Sequence, residues 1–185
     1  MKIDLTLKVT SEMLKNTAGN ENKALIGHLG THFDVMDCEF PLEYTELDAV
    51  VFDASSVKNR EIDVDDIEWD KVGKGMFVAF YTGFSETEPY GTKRYFKEHP
   101  QLSRGLIDAL LQKEISIIGI DCAGVRRGEE HIPTDRHCAE NGVFVIENLR
   151  CLTSLLDVGR PVLIHTYPIN CSGITGLPCR VVAEI

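Results

Sequence analysis

Apolar and polar side chains alternate at the start of the chain, with Ile3, Leu5, Leu7 and Val9 set between polar neighbours. A period of two predicts a strand with one buried face. Residues 48–54 (DAVVFDA) predict a second strand, and the acidic stretch 61–69 predicts an exposed turn or sheet edge. Residues 75–82 (GMFVAFYT) are almost uniformly apolar, the pattern of a strand covered on both faces. The clearest helix lies at 102–114 (LSRGLIDALLQKE), where Leu102, Leu106 and Leu110, with Ile107 and Leu111, recur at i, i+4. Ser103 stands where its cap belongs. A buried strand follows at once at 115–121 (ISIIGID). Thr134 is placed to cap a short helix through Glu140 that stops at Asn141 and Gly142. Apolar strands at 143–147, 161–167 and 179–185 complete the set. Strands outnumber helices and helices interrupt them, so the pattern predicts an α/β or α+β fold: a compact mixed sheet with helices. No repeat, low-complexity tract or Pro/Ser/Gly-rich linker divides the chain, so residues 1–185 are expected to form a single domain.

Composition narrows the functional classes. Apolar residues make up 43 % and charged residues 26 %, an ordinary soluble balance. The net charge of −10 gives no broad attraction for nucleic acid or for an anionic membrane surface, so neither is an expected partner. The longest apolar run, MFVAFY at 76–81, falls well short of the roughly 20 residues that span a bilayer. The first ten residues carry Lys2, Asp4 and Lys8 and lack the apolar core of a signal peptide, so the expected location is the cytoplasm. None of the six cysteines forms a C-x-x-C pair, and free thiols are expected in that compartment.

The densest polar cluster is HLGTHFD at 28–34. Two imidazoles four residues apart, followed by a carboxylate two further on, can form a facial metal triad. His32 and Asp34 share one face if the segment is extended, and His28 joins them if the chain turns at Gly30. All three are ordinary ligands for Zn²⁺ or Mn²⁺. The alternative is a polar turn whose histidines bond the backbone, and the spacing alone does not choose between them.

HLGTHFD resembles the H-x-G-T-H-x-D signature of the cyclase family, which includes bacterial kynurenine formamidase, arylformamidases and isatin hydrolase. The resemblance runs nearly end to end. Asp4-Leu5-Thr6 is similar to the family's opening D-L-[ST], and Gly83 follows a strand as the family's T-G does. Tyr95-Phe96 with His99-Pro100-Gln101-Leu102-Ser103 resembles its YF…PGLS segment, and Ile118-Gly119-Ile120-Asp121 its VGxD. Gly142 through Glu147-Asn148-Leu149 resembles G-I-x-x-x-E-N-L, and GLPCRVVAEI at 176–185 resembles the closing sPvRavA. The resemblance implies a swivelling β/β/α-like mixed fold, usually dimeric, in which a metal-activated water attacks an amide or lactam carbonyl. It implies His28, His32 and Asp34 as metal ligands and Glu147 as a ligand to a second metal.

This chain also departs from the family pattern. The signature continues x-P-x-H and ends in an acid/base histidine, but those positions hold Met36 and Cys38. The late family histidine, twelve residues before the glutamate, corresponds to Asp135, with His131 and His137 nearby. The D-x-x-S-x-D segment reads Asp121-Cys122-Ala123-Gly124-Val125-Arg126. Cys38 is open to three readings: apolar filler, metal contact, or an acid/base group tuned by the metal. An extended segment would bring it to the face of Asp34, within a few ångströms of the metal cluster. Asp135 would harden the site toward Mn²⁺ or Mg²⁺. On a helix, His131 and Asp135 would share a face, so that the acid orients the imidazole. Arg126 and Arg127 suit a solvated turn, or a carboxylate-binding role for one of them.

The expectation is therefore a hydrolase of a small aryl or cyclic amide using Zn²⁺ or Mn²⁺. Its metal residues would be His28, His32, Asp34, Asp135 and Glu147, and its proton-handling residues Glu147, Cys38 and His131. The other reading is a non-catalytic metal- or ligand-binding relative that has lost the acid/base histidine. A homodimer is expected from the resemblance.

Overall fold

The computed structural model describes residues 1–9, 13 and 27–185. Among these, eight strands form one sheet: β1 (Lys2–Asp4), β2 (His32–Asp34), β3 (Glu46–Asp53), β4 (Phe77–Tyr81), β5 (Ile117–Ile120), β6 (Phe144–Glu147), β7 (Val162–Pro168) and β8 (Gly176–Glu184). Their order is β1-β8-β2-β6-β5-β4-β3-β7, and β7 also pairs with β8. That last pairing closes seven strands into a mixed barrel. β3, β4, β5 and β6 run parallel; the other pairings are antiparallel. One edge of β8 pairs first with β2, through Gly176 to Pro178, and then with β1, through Val182 to Glu184. The expected mixed α/β architecture is the one observed.

Side-chain alternation sorts each strand between two cores. Phe33, Phe77, Ala79, Ile117, Phe144, Ile146, Ile164 and Val181 fill the barrel. Val78, Phe80, Ile118, Ile120 and Val145 point outward and are covered by helices. Helix α1 spans Phe84–Thr87, α2 Lys93–Lys97, α3 Arg104–Gln112 and α4 His131–Glu140. α3 is the predicted helix, with Ser103 accepting from the Leu106 N–H and Leu106, Ile107 and Leu110 buried on the outer wall.

Three expectations shift. α4 begins at His131, three residues before the predicted Thr134 cap. A 3-10 turn at Gly128–Glu130 leads directly into it, and Pro133 falls in the first turn, where a missing N–H costs nothing. The acidic stretch 61–69 is not simply exposed, because Ile62 and Ile67 enter the outer core between its charged neighbours. The alternating N-terminal segment is a strand only over Lys2–Asp4. Leu5 stays buried beyond it, bonded to the Val181 carbonyl.

Leu110 is fully buried between α3 and the barrel wall. Leu110→Ala should therefore cost about 2–5 kcal/mol in urea unfolding, while a solvent-facing α3 substitution should be near neutral.

Candidate metal centre

The short strand β2 has two faces. Phe33 enters the barrel, so His32 and Asp34 point outward together. In register, His32 pairs with Glu147 and Asp34 with Val145 of β6, which puts the Glu147 side chain on the same outer face. α4 crosses this face and presents His131 and Asp135 one turn apart. His28 comes from the turn before β2. Gly30, at φ 77°, reverses the chain there, and a Cβ at this position would stand 2.7 Å from Val9 Cγ2. The candidate centre thus lies between the barrel wall and α4, beside the carboxyl end of β6.

These six side chains are brought together. His28 Nε2 lies 2.9 Å from Asp34 Oδ1. His32 Nε2 is 3.7 Å from Asp34 Oδ1 and 3.7 Å from Glu147 Oε2. His131 Nε2 is 3.4 Å from Asp135 Oδ2 and 3.6 Å from Glu147 Oε1. They form two overlapping groups able to hold a cation, His28/His32/Asp34 and Asp34/His131/Asp135/Glu147, with Asp34 common to both.

Hydrogen bonds set which ring nitrogen is offered. His32 Nδ1 sits 2.9 Å from the Gly30 carbonyl, and His131 Nδ1 sits 3.0 Å from the Arg126 carbonyl. A carbonyl only accepts, so Nδ1 carries the proton in each neutral ring and the Nε2 lone pair faces the carboxylates. Asp34 Oδ2 and both Asp135 oxygens are buried without a hydrogen-bond partner among the described residues. Lone pairs facing buried carboxylates leave a deficit of positive charge, which a divalent cation supplies. The donor set of imidazoles and carboxylates therefore fits such an ion.

Titration follows the same crowding. Burial would depress the His32 ring, but the Asp34 carboxylate outweighs it and holds that ring above its ordinary pKa. Burial would raise Asp34, yet His32 and His28 hold it well below the usual carboxylate range. Asp135 shifts the other way. Burial, then the charges of Asp34 and Glu147, push it well above its ordinary value.

A further set of residues holds the loops. Asn148, at φ 59°, follows β6 and donates from Nδ2 to the Gly30 carbonyl at 2.9 Å. Its Oδ1 accepts from the buried Tyr95 hydroxyl at 2.9 Å. Its carbonyl accepts from Thr31 Oγ1 at 2.9 Å. The Gly30 N–H donates to the Tyr90 hydroxyl at 3.1 Å. The Gly30 carbonyl that orients His32 is thus held by a residue 118 positions away. Sequence reading named none of these orienting contacts. The nearest signal was the family-like E-N-L segment, where only the glutamate was assigned a role.

The structure separates Cys38 from this cluster, contrary to the extended-strand expectation. The chain stops being extended after β2: Met36 and Asp37 adopt φ 47° and 70°, and the Cys38 N–H bonds the Val35 carbonyl in a turn. Cys38 consequently packs toward the barrel core with Phe33. It lines a groove of about 880 Å³ between segments 37–43 and 168–174, outside both candidate groups. His137 is also elsewhere, half-exposed beside Asp108 at 3.3 Å. His165 lies between Glu46 and Glu184, each at 3.4 Å. Asp121 serves the fold, accepting from Thr82 N, Thr82 Oγ1 and Gly83 N. Trp69 bonds the Val64 carbonyl in its own loop. All six cysteines are unpaired.

The Cyclase family model, described as "Putative cyclase", matches residues 3–127. The chain belongs to this family. No curated protein sequence matches it. Among solved structures, it is similar to a potential metal-dependent hydrolase with cyclase activity, at 25 % identity and TM-score 0.74, covering 99 % of this chain and 96 % of the other. A predicted metal-dependent hydrolase from Bacillus stearothermophilus shares the fold at 24 % identity and TM-score 0.72, over 99 % and 97 % of the two chains. An isatin hydrolase bound to the product analogue thioisatinate shares it at 21 % identity and TM-score 0.70, over 84 % and 71 %.

The pKa shifts fix how the metal-free protein responds to pH. His32 and Asp135 are raised, so each stabilises the fold below its unfolded value and loses that contribution as pH rises through its folded value. Asp34 is depressed and loses its contribution only in acid. Chelator-treated protein should therefore melt at a lower temperature at pH 8 than at pH 6. Zn²⁺ or Mn²⁺ at a hundred times its dissociation constant should raise the melting temperature by about 5–10 °C. A melting temperature indifferent to both pH and divalent ions would contradict the charge deficit described above.

Proposed function

We propose that this protein is a divalent-metal-dependent hydrolase of small amides, of the aryl-formamide or lactam type. The observation that carries the reading is the convergence of three imidazoles and three buried carboxylates, with the Nε2 atoms of His28, His32 and His131 within 2.9–3.7 Å of carboxylate oxygens. Membership of the cyclase family and the isatin hydrolase among its fold relatives support it.

In this reading His28, His32 and Asp34 would hold the cation, and Asp135, Glu147 and His131 complete the donor set around Asp34. Zn²⁺ suits the imidazole-rich group and Mn²⁺ the carboxylate-rich one. When bound, the ion supplies Lewis acidity to the carbonyl and makes water a competent nucleophile near neutral pH. Glu147 lies on the wall of the open pocket, where it can take a proton from the attacking water. It returns that proton to the amide nitrogen as the C–N bond breaks, which gives an acid and an amine as separate products from a formamide and within one ring-opened molecule from a lactam. His131, fixed through Nδ1 by the Arg126 carbonyl, keeps Glu147 and Asp135 apart and aligned. Cys38 has no part in these steps.

The test is metal analysis of the purified protein together with a panel of formanilide, N-formylkynurenine and isatin. We expect bound Zn²⁺ or Mn²⁺ and hydrolysis that a chelator abolishes. Asp34→Asn should lose the metal and at least a hundredfold in kcat/KM. Glu147→Gln should cost on the order of 10²–10⁴-fold, the usual contribution of general acid/base catalysis. Cys38→Ser should leave the rate unchanged. Stoichiometric metal with no turnover on any substrate would favour the non-catalytic reading, for which the observation is Cys38 in place of the family histidine. Sedimentation should find a homodimer, the commonest closed assembly, and a 20.7 kDa monomer would overturn that expectation.

A further inference from the structure

Two adjacent arginines meet different fates at the start of the α4 segment. Arg126 is buried and fully engaged: it pairs with Glu130, with Glu61 at 2.6 Å, and with the Leu102 carbonyl at 2.7 Å. Arg127 is half-buried, and among the described residues it makes no ion pair. Its backbone N–H donates to Gln101 Oε1 at 2.8 Å, and Nη1 donates to the Lys97 carbonyl at 3.1 Å. A guanidinium has five N–H donors in a planar fork, so most of this one is uncommitted.

Arg127 lines the pocket that opens onto the candidate metal centre, together with His28, His32, His131 and Glu147. Phe96 and Ile132 supply apolar wall to the same pocket. The volume is about 230 Å³, below the usual range for drug-sized ligands, so it suits one ring or a short chain. Apart from the imidazoles, Arg127 is the only cationic side chain among the lining residues. The site beneath holds three carboxylates, Asp34, Asp135 and Glu147, which would repel an anion once the metal dissociates. A guanidinium placed beside apolar wall at the mouth offers the opposite field, in a geometry that matches a carboxylate bidentately.

We propose that Arg127 is a substrate-binding residue that recognises a carboxylate, so that the preferred substrate is a compact anionic amide, its carboxylate on the group attached to the scissile amide. The neighbouring Arg126 makes this selective, because it takes up Glu61 and Glu130 and leaves its neighbour without an acidic partner. The inference rests on the hydrolase reading for the word substrate; the ligand class rests on Arg127 and the pocket alone.

The test uses the full metal-loaded protein, wild type and the variants Arg127→Ala and Arg127→Lys, checked for equal metal content and melting temperature. Calorimetric titration with benzoate and with benzamide reads binding without turnover. The kcat/KM ratio of N-formylanthranilate to formanilide reads selectivity. We expect wild type to favour the carboxylate at least about tenfold in both assays, Arg127→Ala to lose that preference, and Arg127→Lys to keep part of it. Benzoate binding that is unchanged in Arg127→Ala would overturn the proposal, placing the carboxylate elsewhere. So would inorganic phosphate binding more tightly than benzoate through Arg127. Arg127-dependent benzoate binding without hydrolysis of any amide would sink the hydrolase reading and keep the ligand class. Equal hydrolysis of both amides, unaffected by Arg127→Ala, would do the reverse.

Discussion

The arrangement of this protein depends on one electrostatic constraint: three carboxylates from separate segments are buried within a few ångströms of each other. Asp34 comes from β2, Asp135 from α4 and Glu147 from the end of β6. Like charges packed this closely out of water repel strongly, so they need compensation of comparable strength. The protein supplies part of it with imidazoles, which explains why Asp34, flanked by His32 and His28, is held below the usual carboxylate range while Asp135 is pushed above it. The remaining deficit is what makes the cluster a candidate site for a divalent cation. The elements around it can be understood as rigid supports for that crowding. The β2–β6 ladder fixes His32 against Glu147, α4 lies across the same face, and Asn148 locks the turn that delivers His28.

Much of the site was legible in the sequence because short-range periodicity wrote it there. His32 and Asp34 are two apart on a strand, and His131 and Asp135 are four apart on a helix, so each pair shares a face by geometry alone. That these two pairs meet is a tertiary fact, and it reached the sequence only through the family resemblance. Cys38 shows the limit from the other side. The argument for it was also one of periodicity, but Met36 and Asp37 take left-handed backbone conformations that nothing in their residue types announces. One such turn was enough to move the thiol toward the opposite side of the sheet. Asn148, Tyr95 and Tyr90 were beyond reach for a third reason. Their roles consist of bonds to residues tens of positions away, and no local pattern encodes them.

The fold was readable to a similar depth. Uniformly apolar β4 and β5 and the amphipathic α3 lie close to where their patterns put them. The three-residue β2 was too short to register as a strand, although it carries the centre of the site. Closure of the barrel by β8, which pairs along one edge with β2 and β1 and along the other with β7, is a property of the assembled sheet. Arg126 and Arg127 repeat the lesson at the level of single residues. Identical side chains, adjacent in sequence, are sorted into a structural ion pair and an open fork by which of them the turn directs inward.

The two-faced character of β2 has a consequence for anyone who would engineer this protein. Phe33 is wedged in the barrel between two residues of the candidate centre, so barrel and site share one stretch of backbone. Thermostabilising redesign of the interior is therefore not independent of chemistry: a tilt introduced by resizing Phe33, Ile146 or Leu177 travels to His32 and Asp34 through a single peptide unit. The ring order of the strands shows where the latitude is. β3 and β4 lie farthest from β2 around the barrel, and repacking can be attempted there with least disturbance to the donors. A library that treats all barrel positions as equivalent would spend much of its diversity on variants that fold well and have mis-set the geometry they were meant to preserve.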